Sequence, residues 1–102
     1  GVGAVQPGTS TLFTAKSNKL GIVNTGTAQF TGFSDPFGTH PGSAGNQNLN
    51  DIRGLSFDPT SGTLLAVARR SGGPDLLFQI DPTTGAVISD AFGPGAGYVE
   101  IT

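Results

Sequence analysis

The chain has 102 residues, a formal net charge of −2, 12% charged residues and 35% hydrophobic ones. One domain is the most that length holds, and so apolar and weakly charged a chain is not a disordered one. No apolar run approaches the ~20 residues of a membrane span, and the small negative charge leaves no footprint for nucleic acid or anionic lipid. The absence of Cys excludes disulfides, thiolate catalysis and Cys-bound metal. Met and Trp are also absent, which suits a chemically inert chain. The chain opens on Gly1 with no basic-then-apolar leader, which reads as a mature or trimmed protein.

Two copies of one pattern fill the chain. In the first, over residues 1–33, Pro7, Thr11 and Leu12 match Pro59, Thr63 and Leu64 at a shift of 52. Phe13 then falls on Leu65, and Ala15 on Val67. Leu20-Gly21-Ile22-Val23-Asn24 matches Leu77-Phe78-Gln79-Ile80-Asp81 at a shift of 57. Gly26 and Phe33 match Gly85 and Phe92 at a shift of 59. The inserted residues fall in turns, where a structural repeat tolerates them.

Between the copies lies a 17-residue connection, 34–50, where the loop after the second copy, 93–97, has 5 residues. A connection that long and without structure of its own is often functional. It holds the only His, His40, and the polar run Asn46, Gln47, Asn48 and Asn50, which Asp51 continues into the second copy. These six residues are the ligand-loop candidates, for a glycan, a peptide or a cation; a solvated linker is the plainer reading.

The second copy, 51–92, predicts four strands. Ile52 to Phe57 is the first, Thr63 to Ala68 the second, Leu76 to Ile80 the third and Ala86 to Phe92 the fourth. Asp-Pro-Thr-Ser-Gly at 58–62 and Asp-Pro-Thr-Thr-Gly at 81–85 are turns: Asp bonds the backbone ahead, Pro presets φ and Gly supplies a positive φ. The second and third strands are almost continuously apolar, as strands buried on both faces are. No window carries a 3.6-residue period, so the fold class is all-β.

The tail, 93–102, is a Gly/Pro linker followed by Tyr98-Val99-Glu100-Ile101-Thr102. It looks like the start of a further first strand. Read tail to head, Val99-Glu100-Ile101-Thr102-Gly1 imitates Asn50-Asp51-Ile52-Arg53-Gly54.

The pattern Gly-Leu-Ser-Phe-Asp-Pro, Gly-Thr-Leu-Leu-Ala-Val, Leu-Leu-Phe-Gln-Ile-Asp-Pro-Thr-Thr-Gly at 54–85 resembles a β-propeller blade. The nearest style is the NHL or YVTN class of extracellular and periplasmic propellers, whose blades carry such an FDP…G.L…IDP.TG pattern. The resemblance covers 51–92 well and 1–33 more weakly, and it implies fold rather than chemistry. It also implies that the 34–50 connection lies on the face that carries ligands.

Propellers close with roughly 4–8 blades, and this chain has two four-stranded antiparallel ones. The expectation is therefore self-association into a ring or a filament, copies joining head-to-tail. Tyr98, Val99, Ile101, Val2 and Val5 are the assembly candidates, the tail strand of one copy extending the first blade of the next. A fragment of a longer propeller is the plainer alternative.

The remaining motifs carry little. Asn46, Asn48 and Asn50 have the spacing of calcium ligands, but they are neutral, Asp51 stands where such loops need Gly, and no Glu closes the loop. His40 alone makes no metal site. With Asp35 or Asp51 and Ser34 or Ser43 it forms no recognisable triad. Arg69 or Arg70 is expected to pair with Asp75 across a hairpin, matching Lys16 and Lys19 in the first copy. No phosphate loop and no Asn-x-Ser/Thr sequon is present. The functional expectation is a non-enzymatic, extracellular or cell-surface structural module without cofactor or metal. The alternative is a multivalent lectin-like or peptide-binding propeller.

Overall fold

The computed structural model describes residues 2–102, so the Gly1 position of the tail-to-head pattern lies outside it. Ten strands and no helix are present among the described residues: β1 (Gly3–Val5), β2 (Leu12–Lys16), β3 (Lys19–Val23), β4 (Phe30–Gly32), β5 (Thr39–His40), β6 (Gln47–Asn48), β7 (Ile52–Phe57), β8 (Leu64–Ala68), β9 (Leu76–Ile80) and β10 (Val99–Glu100). They form two four-stranded antiparallel sheets, β1-β2-β3-β4 and β10-β9-β8-β7, with β5 and β6 as a small hairpin between them.

Turn chemistry sets the strand ends. Asp58 and Asp81 build the same turn. Each carboxylate accepts the backbone N–H two residues on, Thr60 and Thr83, at 2.9 Å. Each carbonyl accepts the N–H of the Gly four residues on, Gly62 and Gly85, at 2.8 Å. Those glycines sit at φ 75° and 78°, where a side chain is strained. In the first sheet Asn24 plays the Asp part, and Ala28 closes the turn at φ 62°. Ala28, not Gly26, is therefore the counterpart of Gly85. The repeat keeps its shift of 57 through this turn, and the expected step to 59 is corrected.

The expected fourth strand of the second copy is also corrected. Only Val87 bridges Ile80, and the Ile88 N–H bonds the Gln79 carbonyl at 2.9 Å. Asp90 then turns the chain outward at φ 54°, its carboxylate accepting the Gly95 N–H at 2.9 Å. The chain returns as β10, which pairs Val99 with Leu77 and Glu100 with Leu76. Two residues begin the fourth strand and two from the tail finish it. Ser89 and Asp90 favour a turn over a ladder, which is the local reason.

Alternation along the strands separates two faces in each sheet. In β8 and β9, Leu64, Ala66, Ala68, Leu76, Phe78 and Ile80 are buried and the residues between them half-buried. Burial on both faces was expected from their apolar composition; one face of these strands is buried and the other half-buried. The two sheets meet through β7, which packs on β1 and β2. There the Phe13 and Phe57 rings stand edge to face, 5.4 Å between centroids. Phe33, just past the end of β4, lies against Gly85, leaving no room for a side chain there.

The 34–50 connection is less a free loop than part of the core. Phe37 and Leu49 are buried, Phe37 edge to face with Phe78 at 5.5 Å. The Phe37 N–H bonds the Asn18 carbonyl at 2.7 Å, and β5 pairs with β6.

Candidate functional site

Three regions gather the residues singled out from the sequence. The first is the tail. Tyr98 is buried by its own chain, its hydroxyl donating to the Gly45 carbonyl at 2.7 Å and accepting from the Ala44 N–H at 2.9 Å. The Gly97 N–H bonds the Pro41 carbonyl at 2.9 Å, and the Ile101 N–H the Asp75 carbonyl at 2.9 Å. Glu100 accepts from Ser43 at 2.6 Å and pairs with Arg70 at 3.1 Å. The tail expected to extend a neighbour thus completes the second sheet of its own chain. Arg70 takes Glu100 rather than the expected Asp75, because β10 brings that carboxylate beside it. Of the tail's apolar residues, Ile101 stays exposed.

The second region is an open groove lined by Ala15, Ser17, Asn18, Asn50, Asp51 and Ile52, where the β2–β3 hairpin approaches the start of β7. Ser17 and Asp51 both hold positive φ, 60° and 51°. The Asp51 carbonyl accepts the Arg69 N–H, and its carboxylate pairs with Arg53 at 3.0 Å on the surface, worth about 0–1 kcal/mol. Of the loop candidates, Asn50 and Asp51 reach this groove. The others are spent elsewhere or face solvent: Gln47 donates to the Ala44 carbonyl at 3.0 Å, His40 Nε2 lies 2.7 Å from the Phe37 carbonyl, and Asn46 and Asn48 are exposed. Ser17 and Asn18 were not singled out from the sequence; a two-residue polar hairpin is their only local signal. No group of three or more His, Asp or Glu side chains is placed to hold a metal among the described residues.

The third region is the open face of the first sheet. Val5, Leu12, Val23 and Phe30 lie opposite one another across β1, β2, β3 and β4 and form one apolar row. Val5 is 56% exposed and the other three are half-buried. The Phe30 ring lies against Gly21, where a Cβ would meet it at 2.4 Å, and Lys16 Nζ stands 5.5 Å from its centroid. The chain thus covers this row only in part. Val2, the remaining assembly candidate, is half-buried beside a separate depression that it lines with Asp51, Ile52 and Arg53, its carbonyl bonded by the Thr14 hydroxyl.

No family model, curated protein or solved structure matches this chain.

Proposed function

We propose that the chain is a non-enzymatic, self-assembling propeller module: its two sheets are blades, and further copies supply the rest of a ring or filament. The observation that carries this reading is the incompletely covered row Val5–Leu12–Val23–Phe30. Covering a large apolar side chain contributes about 1.5–3 kcal/mol, so four in one row favour a partner surface. The absence of Cys and Met, the low charge and the many tight turns suit a durable extracellular or cell-surface structural protein. Light scattering behind a sizing column, over a dilution series, tests it. A discrete trimer or tetramer means a closed ring, and very large polydisperse species mean a filament. A folded monomer at every concentration overturns the reading.

A second reading rests on the groove at Ser17, Asn18, Asn50 and Asp51, which brings polar side chains of two sheets together. One such groove per copy makes a multivalent glycan or peptide binder. Titration of a glycan and peptide panel at high protein concentration tests it, and binding that Asn50→Ala leaves unchanged sinks it.

A further inference from the structure

We infer that copies join head-to-tail by repeating, between chains, the sheet-on-sheet contact already made within the chain. The outer face of the second sheet of one copy covers the open row of the first sheet of the next. This rests on the self-assembly reading and specifies its interface.

The repeat carries the argument. The inner row of the second sheet is Phe57–Leu64–Ile80–Val87, four residues opposite one another across its strands, the last three buried and Phe57 half-buried. Subtracting the repeat shifts, 52 for the first pair and 57 for the second, gives Val5, Leu12, Val23 and Phe30. That is the open row of the first sheet. One row with one geometry is therefore mostly buried in the second sheet and half-buried to exposed in the first.

The face of the first sheet that turns toward the second carries Ala4, Phe13, Ile22 and Thr31 in register; Phe13 is buried there and Ala4 half-buried, while Ile22 and Thr31 stay exposed. Adding the same shifts gives Ser56, Leu65, Gln79 and Ile88, which lie together on the open face of the second sheet. Ser56 and Ile88 are exposed, and Leu65 is half-buried.

One contact fixes the register. Inside the chain Phe13 meets Phe57, centroids 5.4 Å apart. The shift of 52 turns Phe13 into Leu65 and Phe57 into Val5. Leu65 of one copy therefore seats against Val5 of the next. Val5 is the most exposed of the chain's large exposed hydrophobics, at 56%. The two faces are different surfaces of the molecule, so the contact is heterologous and cannot close as a two-fold dimer through one patch. The tail strand has no part in it, because β10 is already paired with β9.

Val5→Asp on one face and Ser56→Arg on the other test this, both at exposed positions. Circular dichroism and thermal melting establish that each variant folds. Each alone is expected to lose the assembled species, its dissociation constant rising roughly 100-fold or more through a charge buried in an apolar contact. Mixed in equal amounts, the two variants are expected to form a one-to-one complex, since each retains the face the other lacks. Native mass spectrometry with one partner isotope-labelled reads this directly. Wild-type assembly that survives either substitution overturns the inference and leaves self-assembly standing. Loss of assembly with no mixed complex overturns the head-to-tail polarity. A monomeric wild type overturns both the inference and the reading beneath it.

Discussion

The Tyr98 hydroxyl donates to the Gly45 carbonyl at 2.7 Å, across 53 residues of sequence. It ties the end of the chain to the middle of the connection between the two sheets. The bond is part-buried, and the same oxygen accepts the Ala44 N–H at 2.9 Å. Tyr98→Phe keeps the ring but leaves both backbone groups without that partner. The expected loss is about 1–3 kcal/mol in urea unfolding, with faster hydrogen exchange at the Ala44 amide. Unchanged exchange there would show that the hydroxyl does not hold the loop.

Gly42 lies against the same ring, and a Cβ on it would stand 2.4 Å from Cζ of Tyr98. Gly42→Ala therefore displaces a ring that is almost wholly buried. A destabilisation of about 1–3 kcal/mol is expected, as for other overpacked sites. Thermal melting measures it. In the Tyr98→Ala background the same substitution should cost much less, because the clash is gone.

Ala28 holds φ 62° at the turn position where the second sheet uses Gly85 at φ 78°. A left-handed Ala costs about 1–2 kcal/mol, offset in part by the extra freedom Gly has in the unfolded chain. Ala28→Gly is thus expected to stabilise by up to about 1 kcal/mol, read as a higher denaturant midpoint with an unchanged slope. A lower midpoint would mean the strain is relieved by some other route.

Asp58 is held below the usual carboxylate range, first by the Thr60 N–H and then by the Ser61 hydroxyl. A folded-state pKa below the unfolded one favours the folded state above the unfolded value of about 3.9. That contribution is lost as pH falls through the lower folded value. Asp58→Asn keeps an acceptor for the turn but cannot titrate. Denaturant midpoints at about pH 6 and about pH 2.5 should therefore fall less in the variant than in the wild type. Equal falls would assign the acid sensitivity to other groups.

Arg70 pairs with Glu100 at 3.1 Å, with side-chain exposures of 18% and 27%, and its Nε is buried without a hydrogen-bond partner. Glu100→Gln leaves a poorly solvated guanidinium without its counter-charge. A loss of about 1–3 kcal/mol is expected, with looser amide protection in β10 than in β8. A variant as stable as the wild type would show that the pair only breaks even.

Much of the fold is legible because it is local. Asp-Pro-x-x-Gly dictates its turn wherever it stands, so β7, β8 and β9 fall where turn chemistry and apolar runs place them. The registers of the first sheet follow from the repeat. The fourth strand of the second sheet was less legible. Ser89-Asp90 weakens any ladder there, and the residues that replace it lie at Val99 and Glu100, ten positions on. Within the candidate groove, Asn50 and Asp51 stood out as polar residues of a long connection. Ser17 and Asn18 did not, because a short hairpin gives no sign of which connection will approach it.

The sequence by itself determined the all-β class, the turns and the 52-residue repeat, since these depend on φ preferences and on neighbours a few residues apart. The tertiary structure decided where the tail strand pairs and that Phe37, Leu49 and Tyr98 join the core. It also decided which apolar row of each sheet is covered. Those outcomes depend on contacts between residues tens of positions apart, where a partner's identity is settled by shape and burial rather than by local preference.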